Sequence, residues 1–545
     1  MGTATRPSYV LAIDLGTSAC KVALVSTRGE VVAYDEDETA PILLPGGGAE
    51  QDPGHWWEVI SRVSRRLMGT GVVAADEVEA VCATAQWSGT VAVDAGGHAL
   101  RNAIIWMDTR GAKQATSLNE GLLNIEGYGV TKILRWIRIT GGAPGKSGKD
   151  PITHILWLKD EEPETYRDTK VFLEPKDYLN LRMTGRSAAS FDSIALHWVT
   201  DNRHPYDVKY HPGLLRLAGL EREKLPDLRP ATDVLGPLTR TAAADLGVQE
   251  AIPVVVGTPD VQSAAIGSGA TLDYQAHLYV GTSSWLTCHV PFKKTDLFHN
   301  IASLPSPIPG RYLIMDEQET AGGCLTFLRD RLFLPDDGLL PADCLAEASA
   351  KAYKSFDAMA ASASPGAGGV LFTPWLYGER TPVENASIRG GFHHVSLTSS
   401  RSDLVRAVYE GVALNSRWLL NVVERFIHKP LGSIRFIGGG ARSEIWAHIF
   451  ADILDRRIDV VTDPVNANAR GAGMLAAAAL KSVTFEEMSD RIPVGASYEP
   501  EPENRALYEE LFQDFVATYR RDRRPHQQMA GVVPVAHWRR VANRR

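Results

Sequence analysis

Residues Ala251–Ala270, AIPVVVGTPDVQSAAIGSGA, decide how this 545-residue chain is read. Ile252 to Val256 is an apolar, β-branched run, and Asp260 is the one charged residue of the stretch. Such a run predicts a strand buried on both faces. Gly257 and Pro259 then end it in a tight turn. Asp260 therefore falls just past the carboxyl end of a buried strand, where open α/β sheets hold their ligands. A small-residue segment suited to a helix follows from near Val261, so a second role stays open for Asp260, that of a helix cap.

The chain is too long for one ordinary core, and two or more domains are expected. Its composition, 44% hydrophobic and 22% charged, is that of a soluble globular protein. A net charge of -8 weighs against a nucleic-acid partner. An anionic substrate would need locally concentrated positive groups or an intervening metal. Five cysteines (Cys20, Cys82, Cys288, Cys324 and Cys344) show no metal-ligand spacing. With no secretory leader and no apolar run of membrane-spanning length, the expectation is a soluble, cytoplasmic protein with reduced thiols and no membrane partner.

Outward from the central stretch, the chain opens with Tyr9–Leu15, Lys21–Val25 and Val31–Tyr34 at hairpin spacing, an antiparallel meander. Its first turn is Asp14-Leu15-Gly16-Thr17-Ser18. Small residues there let backbone N–H groups approach a phosphate, and Thr17 and Ser18 add hydroxyl donors. An acid beside phosphate requires a divalent cation or its water between them. An ordinary hairpin turn accounts for the five residues equally well. Asp52–Glu58 starts an amphipathic helix whose Trp57, Ile60, Val63 and Leu67 share one face and read as core. The strands Val78–Ala83 and Thr90–Val93 bracket Gln86-Trp87-Ser88-Gly89, and Ala103–Trp106 runs into Met107-Asp108-Thr109-Arg110. Polar side chains beside flat aromatic ones suit a polyol, although Asp108 and Arg110 also read as a surface ion pair or helix start. Gly141–Asp150 reads as a flexible linker or mobile loop, and His154 beyond it as a solvent-facing helix residue.

After Gly267-Ser268-Gly269 the pattern restarts. His277–Ser284 (HLYVGTSS) echoes Ala12–Ser18 (AIDLGTS), strand and then Gly-Thr-Ser, with no acid before the second glycine. The echo suggests duplication of one fold, with a phosphate-holding hairpin from each half facing a shared cleft and a boundary near residue 268. Later come Glu319–Gly323 (ETAGG), Leu376–Pro382 (LYGERTP), a helix over 402–427 and a strand over 434–437. Gly438-Gly439-Gly440 between that strand and the next helix lets backbone approach the adenosine end of a nucleotide, or simply makes a tight turn. Ala469–Leu480 reads as a small-residue helix able to pack close to that cleft. The last helix is expected over 505–519, and the basic tail from Arg520 reads as solvated or as an oligomer contact.

Taken together, these motifs resemble the FGGY carbohydrate kinase family, in its xylulokinase branch, over residues 9 to about 520. They are DLGTS (Asp14–Ser18), PITHILWLKDEEP (Pro151–Pro163), LEPKDYLNLRMTG (Leu173–Gly185), GTPDVQSAAIGSG (Gly257–Gly269), LYVGTSSW, LYGERTP, Arg389–Leu414 and Phe436–Leu454. The resemblance implies an α/β fold of two duplicated ribonuclease H-like domains, actin/hexokinase-type, with mixed sheets flanking an interdomain cleft. Residues 1–268 would bind sugar and carry the catalytic Asp, 269–500 would bind nucleotide, and 501–545 would form a C-terminal helix and basic tail.

The resemblance also implies roles. Asp260 matches the catalytic base, and Asp14 the acid that holds Mg²⁺ through water, with Asp260 as its second carboxylate. Gly16, Thr17, Ser18, Lys21, Gly281, Thr282, Ser283, Gly322, Gly323, Gly439, Gly440 and Ala441 fall at ATP-binding positions. Gln86, Trp87, Ser88, Trp106 and Asp108, with Asp260, fall where relatives grip the sugar. The implied activity is ATP-dependent phosphorylation of a primary hydroxyl of a ketopentose or related polyol, by a protein for which a homodimer is common in the family. Ribulose, ribitol, erythritol and glycerol stay open as acceptors. An actin- or chaperone-like ATPase switch is the rival reading. The chain departs from the family's pattern at three places. Xylulokinases carry Met-His, and glycerol kinases Arg-Glu, where this chain has Trp87-Ser88. Val261 follows the catalytic Asp where Asn or Gln is usual, and His154 replaces the lysine of the first signature.

Overall fold

The computed structural model describes residues 8–125, 127–337 and 341–532. Strands β1 (Tyr9–Leu15), β2 (Ala19–Ser26) and β3 (Val31–Glu38) form the expected antiparallel meander. Helix α1 (Pro53–Met68) follows, capped by Asp52 and buried along Trp57, Ile60, Val63 and Leu67. Strand β4 (Val78–Ala85) pairs parallel with β1. Helix α2 (Pro151–Glu161), β5 (Val234–Pro237), β6 (Pro253–Val255) and α3 (Asp260–Gly267) complete the elements that matter for the site. The first sheet has the order β5-β6-β4-β1-β2-β3. β6 is thus covered on both edges, and Val254, Val255 and Val256 are fully buried. Strand β5 lies in a proline-rich stretch that carries no strand pattern. Its four residues, ended by Pro237, are too few to show alternation.

The second half repeats the arrangement. Strands β7 (Ala276–Val280) and β8 (Ser284–Val290) make a hairpin, as β1 and β2 do. Next come β9 (Thr295–Asp296), β10 (Ile301–Pro305), β11 (Tyr312–Met315), α4 (Gly322–Phe327) and the long α5 (Arg401–Ile427). Strand β12 (Ile434–Ile437) pairs parallel with β7, as β4 pairs with β1. Helix α6 (Glu444–Leu454), β13 (Ile458–Val461), α7 (Ala467–Ala479), β14 (Val494–Tyr498) and α8 (Arg505–Val532) finish the fold. The second sheet has the order β9-β10-β11-β8-β7-β12-β13-β14. Because α8 runs on to Val532, the basic segment from Arg520 starts inside a helix. The rest of the expected tail lies outside the described residues. Among the described residues, no helix is long and apolar enough to cross a membrane.

Two helices lie between the sheets, and each serves the opposite half. Ala469, Ala472 and Ala476 of α7 pack on Val10, Ala12, Ala23, Val25 and Cys82 of the first half. Ala264 and Ile266 of α3 pack with Trp285, Ile437 and Val461 of the second. The two helices meet through glycine. A Cβ on Gly267 would lie 1.7 Å from the Ala467 carbonyl oxygen, and one on Gly471 would lie 1.8 Å from that of Ser263. Only backbone fits in this seam. The buried Arg470 guanidinium pins it, donating to the carbonyls of Gly29 (3.0 Å), Gly267 (3.2 Å) and Thr462 (2.5 Å).

Candidate active site

Period-two alternation along β1 sends Leu11, Ile13 and Leu15 into the first-half core, and Val10 and Ala12 toward α7. Asp14 continues the second row. Its carboxylate therefore faces the seam between the halves, across the sheet from Lys21, its antiparallel register partner. Lys21 Nζ donates to the Val465 carbonyl of the second half at 2.9 Å and pairs with Glu36 at 3.7 Å.

Asp260 arrives from the other side. Val256 leaves the ladder, and Gly257 turns the chain at φ +76°, where a Cβ would lie 2.4 Å from the Ala83 carbonyl oxygen. Lys176 Nζ and Asn180 Nδ2 donate to the Val256 carbonyl at 2.9 and 2.7 Å, and Thr258 Oγ1 donates to Asp192. Pro259 holds the N-cap position, so Asp260 is the first residue of α3 and not its cap. Its Oδ1 accepts from Val261 N at 2.9 Å.

The two carboxyls feel each other. Burial, then the charge of Asp14 and that of Glu317, push Asp260 up to about 7. Burial lifts Asp14 to about 6 against the opposing pull of Lys21 and a hydrogen bond from Asn468. Asp14 Oδ1 is buried with no hydrogen-bond partner. Two neighbouring carboxyls, one with an orphaned oxygen, fit a divalent cation held largely through water and phosphate oxygens, as Mg²⁺ usually is. Among the described residues there is no cluster of three or more His, Cys, Asp or Glu side chains that could cage a metal without such help.

These shifts predict a stability effect. A carboxyl raised from about 4 to about 7 binds a proton in the fold at pH values where the unfolded chain has lost it. Its contribution to stability therefore falls as pH rises through that window. Buried histidines act in the opposite sense: His154 and His289 are lowered to about 4, and His197 and His277 to about 3, by burial. An Asp260→Asn variant isolates the one term. In thermal melts of the metal- and nucleotide-free protein, its advantage over wild type should grow from pH 5 to pH 8. Parallel melting curves would contradict the raised Asp260.

Around the two carboxyls, the first turn is tightly organised. Gly16 N donates to Ala19 O at 2.9 Å, and Ser18 is exposed. The Thr17 carbonyl accepts from Gln51 Nε2 at 2.7 Å, while its hydroxyl accepts from Trp106 Nε1 at 2.8 Å and donates to Gln86 Oε1 at 3.2 Å. In the second half, Gly322 N donates to Gly281 O at 2.8 Å and Gly323 N to Thr282 O at 3.1 Å. The start of α4 is thereby laid against the Gly281-Thr282-Ser283 turn. A Cβ on Gly322 would lie 2.4 Å from Gly281 O, so this approach requires glycine. The loop after β12 joins them: Gly438 has φ +89°, a Cβ on Gly440 would crowd Val280 at 2.6 Å, and Ala441 N donates to Gly438 O at 3.2 Å. Gly439 is exposed, and a Cβ there would meet nothing within 4 Å, so the loop presents open backbone at this point.

On the acceptor side, Gln86 donates to Gln51 Oε1 at 2.6 Å, and Trp87 Nε1 donates to the Ser193 carbonyl at 2.8 Å. Ser88, at φ +65°, donates its hydroxyl to the Lys149 carbonyl at 2.9 Å. Gly89 N is fixed by Glu174 Oε2 at 2.9 Å. Asp108 is 1% exposed and accepts from Ala49 N (2.8 Å), Arg110 N (2.8 Å) and Arg110 Nε (2.9 Å). The ion pair of Asp108 and Arg110 is therefore buried and not on the surface. Trp106 is half-buried, with the Lys149 ammonium 5.5 Å from its ring centroid.

Two expectations are corrected. His154 is 1% exposed, not solvent-facing: α2 turns it inward to Thr90 Oγ1 at 3.2 Å, where burial keeps it neutral. The Gly141–Asp150 loop is pinned, because its polar groups find partners. Asp150 Oδ2 accepts from Gly145 N (2.6 Å) and Trp198 Nε1 (2.8 Å), and Gly141 O accepts from Thr295 Oγ1 of the second half at 2.5 Å. Glu317 and Arg380 were given no role from sequence. Arg380 of the LYGERTP segment pairs with Glu317 and, at 2.7 Å, with Glu319, and its charge reaches Asp150. The pairing spans some sixty residues, and no local pattern announces it.

Comparison with known proteins follows the same division. Residues 9–267 match the model of the N-terminal domain of the FGGY family of carbohydrate kinases, and residues 276–480 that of its C-terminal domain. The xylulose kinase of Escherichia coli (strain K12) is 31% identical over 519 residues, 93% of this chain and 98% of that protein. Two solved structures from Lactobacillus acidophilus, a gluconate kinase and a ligand-bound xylulose kinase, each superpose with a TM-score of 0.82 at 22% identity, over 96% of this chain and 100% of theirs.

Proposed function

The chain belongs to the FGGY family of carbohydrate kinases, and on that premise we propose that it moves the γ-phosphoryl group of ATP to a primary hydroxyl of a ketopentose such as xylulose, or of a related polyol. The reading is carried by one observation: Asp260 and Asp14 converge at the seam between two Gly-Thr-Ser turns, one from each half. Residues 1–268 then make the acceptor half, 269–500 the nucleotide half, and 501–545 an appended helix and tail.

In this mechanism Asp260 aims the acceptor hydroxyl and takes its proton as the new oxygen–phosphorus bond forms. A carboxylate is too weak a base to remove that proton early, so positioning supplies most of the effect. Backbone N–H groups of Thr17, Ser18, Thr282 and Ser283 hold the phosphate oxygens, the glycine N–H groups at 16 and 281 being used to close the turns, and the loop at Gly439–Ala441 takes the adenosine end. Asp14 and Asp260 would hold Mg²⁺ through water, and the bound ion would spread the charge developing on the transferred group. Closure of the two halves would keep water from competing as acceptor.

The 31% identity to a xylulose kinase over nearly its full length supports a neutral ketose or polyol over an aldonate such as gluconate. ADP release measured with xylulose, ribulose, ribitol, erythritol, glycerol and gluconate tests this directly. The fastest release should come with a five-carbon neutral acceptor. Hydrolysis that ignores every acceptor would instead favour a nucleotide-driven switch, and gluconate as best acceptor would overturn the neutral-acceptor reading.

A further inference from the structure

We propose that Thr84 is a positioning residue for the bound cation, its hydroxyl oxygen sharing with Asp14 the two hydrogens of one water in the Mg²⁺ shell. This rests on the kinase site described above, to which it adds a group that carries no charge.

The sheet puts Thr84 between the sources of the two carboxyls. Strand β4 lies between β1, which carries Asp14, and β6, which leads to Asp260. Thr84 is the parallel register partner of Asp14, on strands about 4.8 Å apart. Val255 of β6 pairs with Cys82, so the chain leaves β6 through Gly257 at the level of Thr84. That turn passes close to β4. A Cβ on Gly257 would lie 3.3 Å from Cys82 Sγ and 2.4 Å from the Ala83 carbonyl oxygen.

Alternation settles which way Thr84 points. Ala80 and Cys82 pack with Val10, Ala12 and the alanines of α7, whereas Val81, Ala83 and Ala85 belong to the first-half core. Thr84 continues the row of Ala80 and Cys82, as Asp14 continues that of Val10 and Ala12. Both rows turn from apolar to polar at one level, where the charge of Asp14 reaches Asp260.

Two oxygens at that level are left over. Thr84 is fully buried and its Oγ1 has no hydrogen-bond partner; Asp14 Oδ1 has none either. The side chains are register neighbours, yet they do not bond to each other. A buried hydroxyl without a partner is unfavourable, and a valine of nearly the same shape would avoid that cost. Mg²⁺ keeps several of its waters when it binds a protein. A water whose oxygen is on the ion turns both hydrogens outward and needs two acceptors. Asp14 Oδ1 and Thr84 Oγ1 are two unused acceptors on adjacent strands.

The test uses Thr84→Val and Thr84→Ala, which both remove the hydroxyl, the first with little change of shape, and Thr84→Ser, which keeps it. Calorimetry measures the affinity of each full-length protein for a non-hydrolysable ATP analogue, once with excess Mn²⁺ in place of Mg²⁺ and once with EDTA. With Mn²⁺, Thr84→Val and Thr84→Ala should bind the analogue about 10-fold or more weakly than wild type, the loss typical of a removed outer-shell partner. With EDTA they should stay within about twofold of wild type, and Thr84→Ser should stay within about threefold in both conditions. Wild-type affinity with Mn²⁺ in either folded hydroxyl-free variant would overturn the role. So would an equal loss with Mn²⁺ and with EDTA, which would make Thr84 a packing residue. Wild type that binds the analogue no more tightly with Mn²⁺ than with EDTA would remove the cation from Asp14 and Asp260, and the proposal with it.

Discussion

Asp260→Asn will lower kcat by roughly two to four orders of magnitude, the range expected when a positioned base is lost. The substitution is nearly isosteric, and an amide oxygen can keep the 2.9 Å bond from Val261 N that opens α3. The helix start, the Gly257 turn and the contacts at Val256 should survive. The KM values for ATP and acceptor should therefore move only a few-fold while turnover collapses, the signature of an interaction made in the transition state. Steady-state ADP release measures both. A variant whose kcat stays within about tenfold of wild type would take Asp260 out of the base role.

Gly471→Ala will separate the halves at their hinge. The added Cβ would lie 1.8 Å from the Ser263 carbonyl oxygen, which is backbone and cannot swing aside. Helices α3 and α7 must move apart, stretching the Ser263 Oγ bond to Asn468 O now at 2.8 Å and displacing Asp260 one turn away. Overpacking costs about 1–3 kcal/mol where side chains can adjust, and a backbone clash should sit at or above the top of that range. Gly432→Ala is the control, because nothing lies within 4 Å of a Cβ there. Thermal melts should show a clear drop for Gly471→Ala, with reduced kcat in the protein that remains folded, and no change for Gly432→Ala. Equal melting of both variants would mean the seam is looser than described.

Much of this architecture was legible because it is written locally. The run at 252–256, the Gly-Thr-Ser turns after β1 and β7, and the glycines at 438–440 each carry their reason within a few residues. What escaped was long-range. Strand β5 is short and proline-flanked, and it is a strand only because β6 lies beside it. His154 looked exposed because the helical pattern of α2 does not say which face meets Thr90. The Gly- and Lys-rich loop at 141–150 looked mobile because glycine reports backbone freedom, not the partners at Ser88, Trp198 and Thr295 that remove it. The acceptor wall depends on just such contacts, which is why its substrate is harder to read than its chemistry.

Phosphoryl transfer to a sugar hydroxyl at the meeting point of Asp14 and Asp260 can be followed directly. Incubating the protein with γ-labelled ATP and D-xylulose, D-ribulose or ribitol, then separating the products, follows the phosphorus itself. Label should appear in a sugar or polyol phosphate ester, formed only when the acceptor is present. Label found in inorganic phosphate alone, at the same rate with and without acceptor, would contradict it.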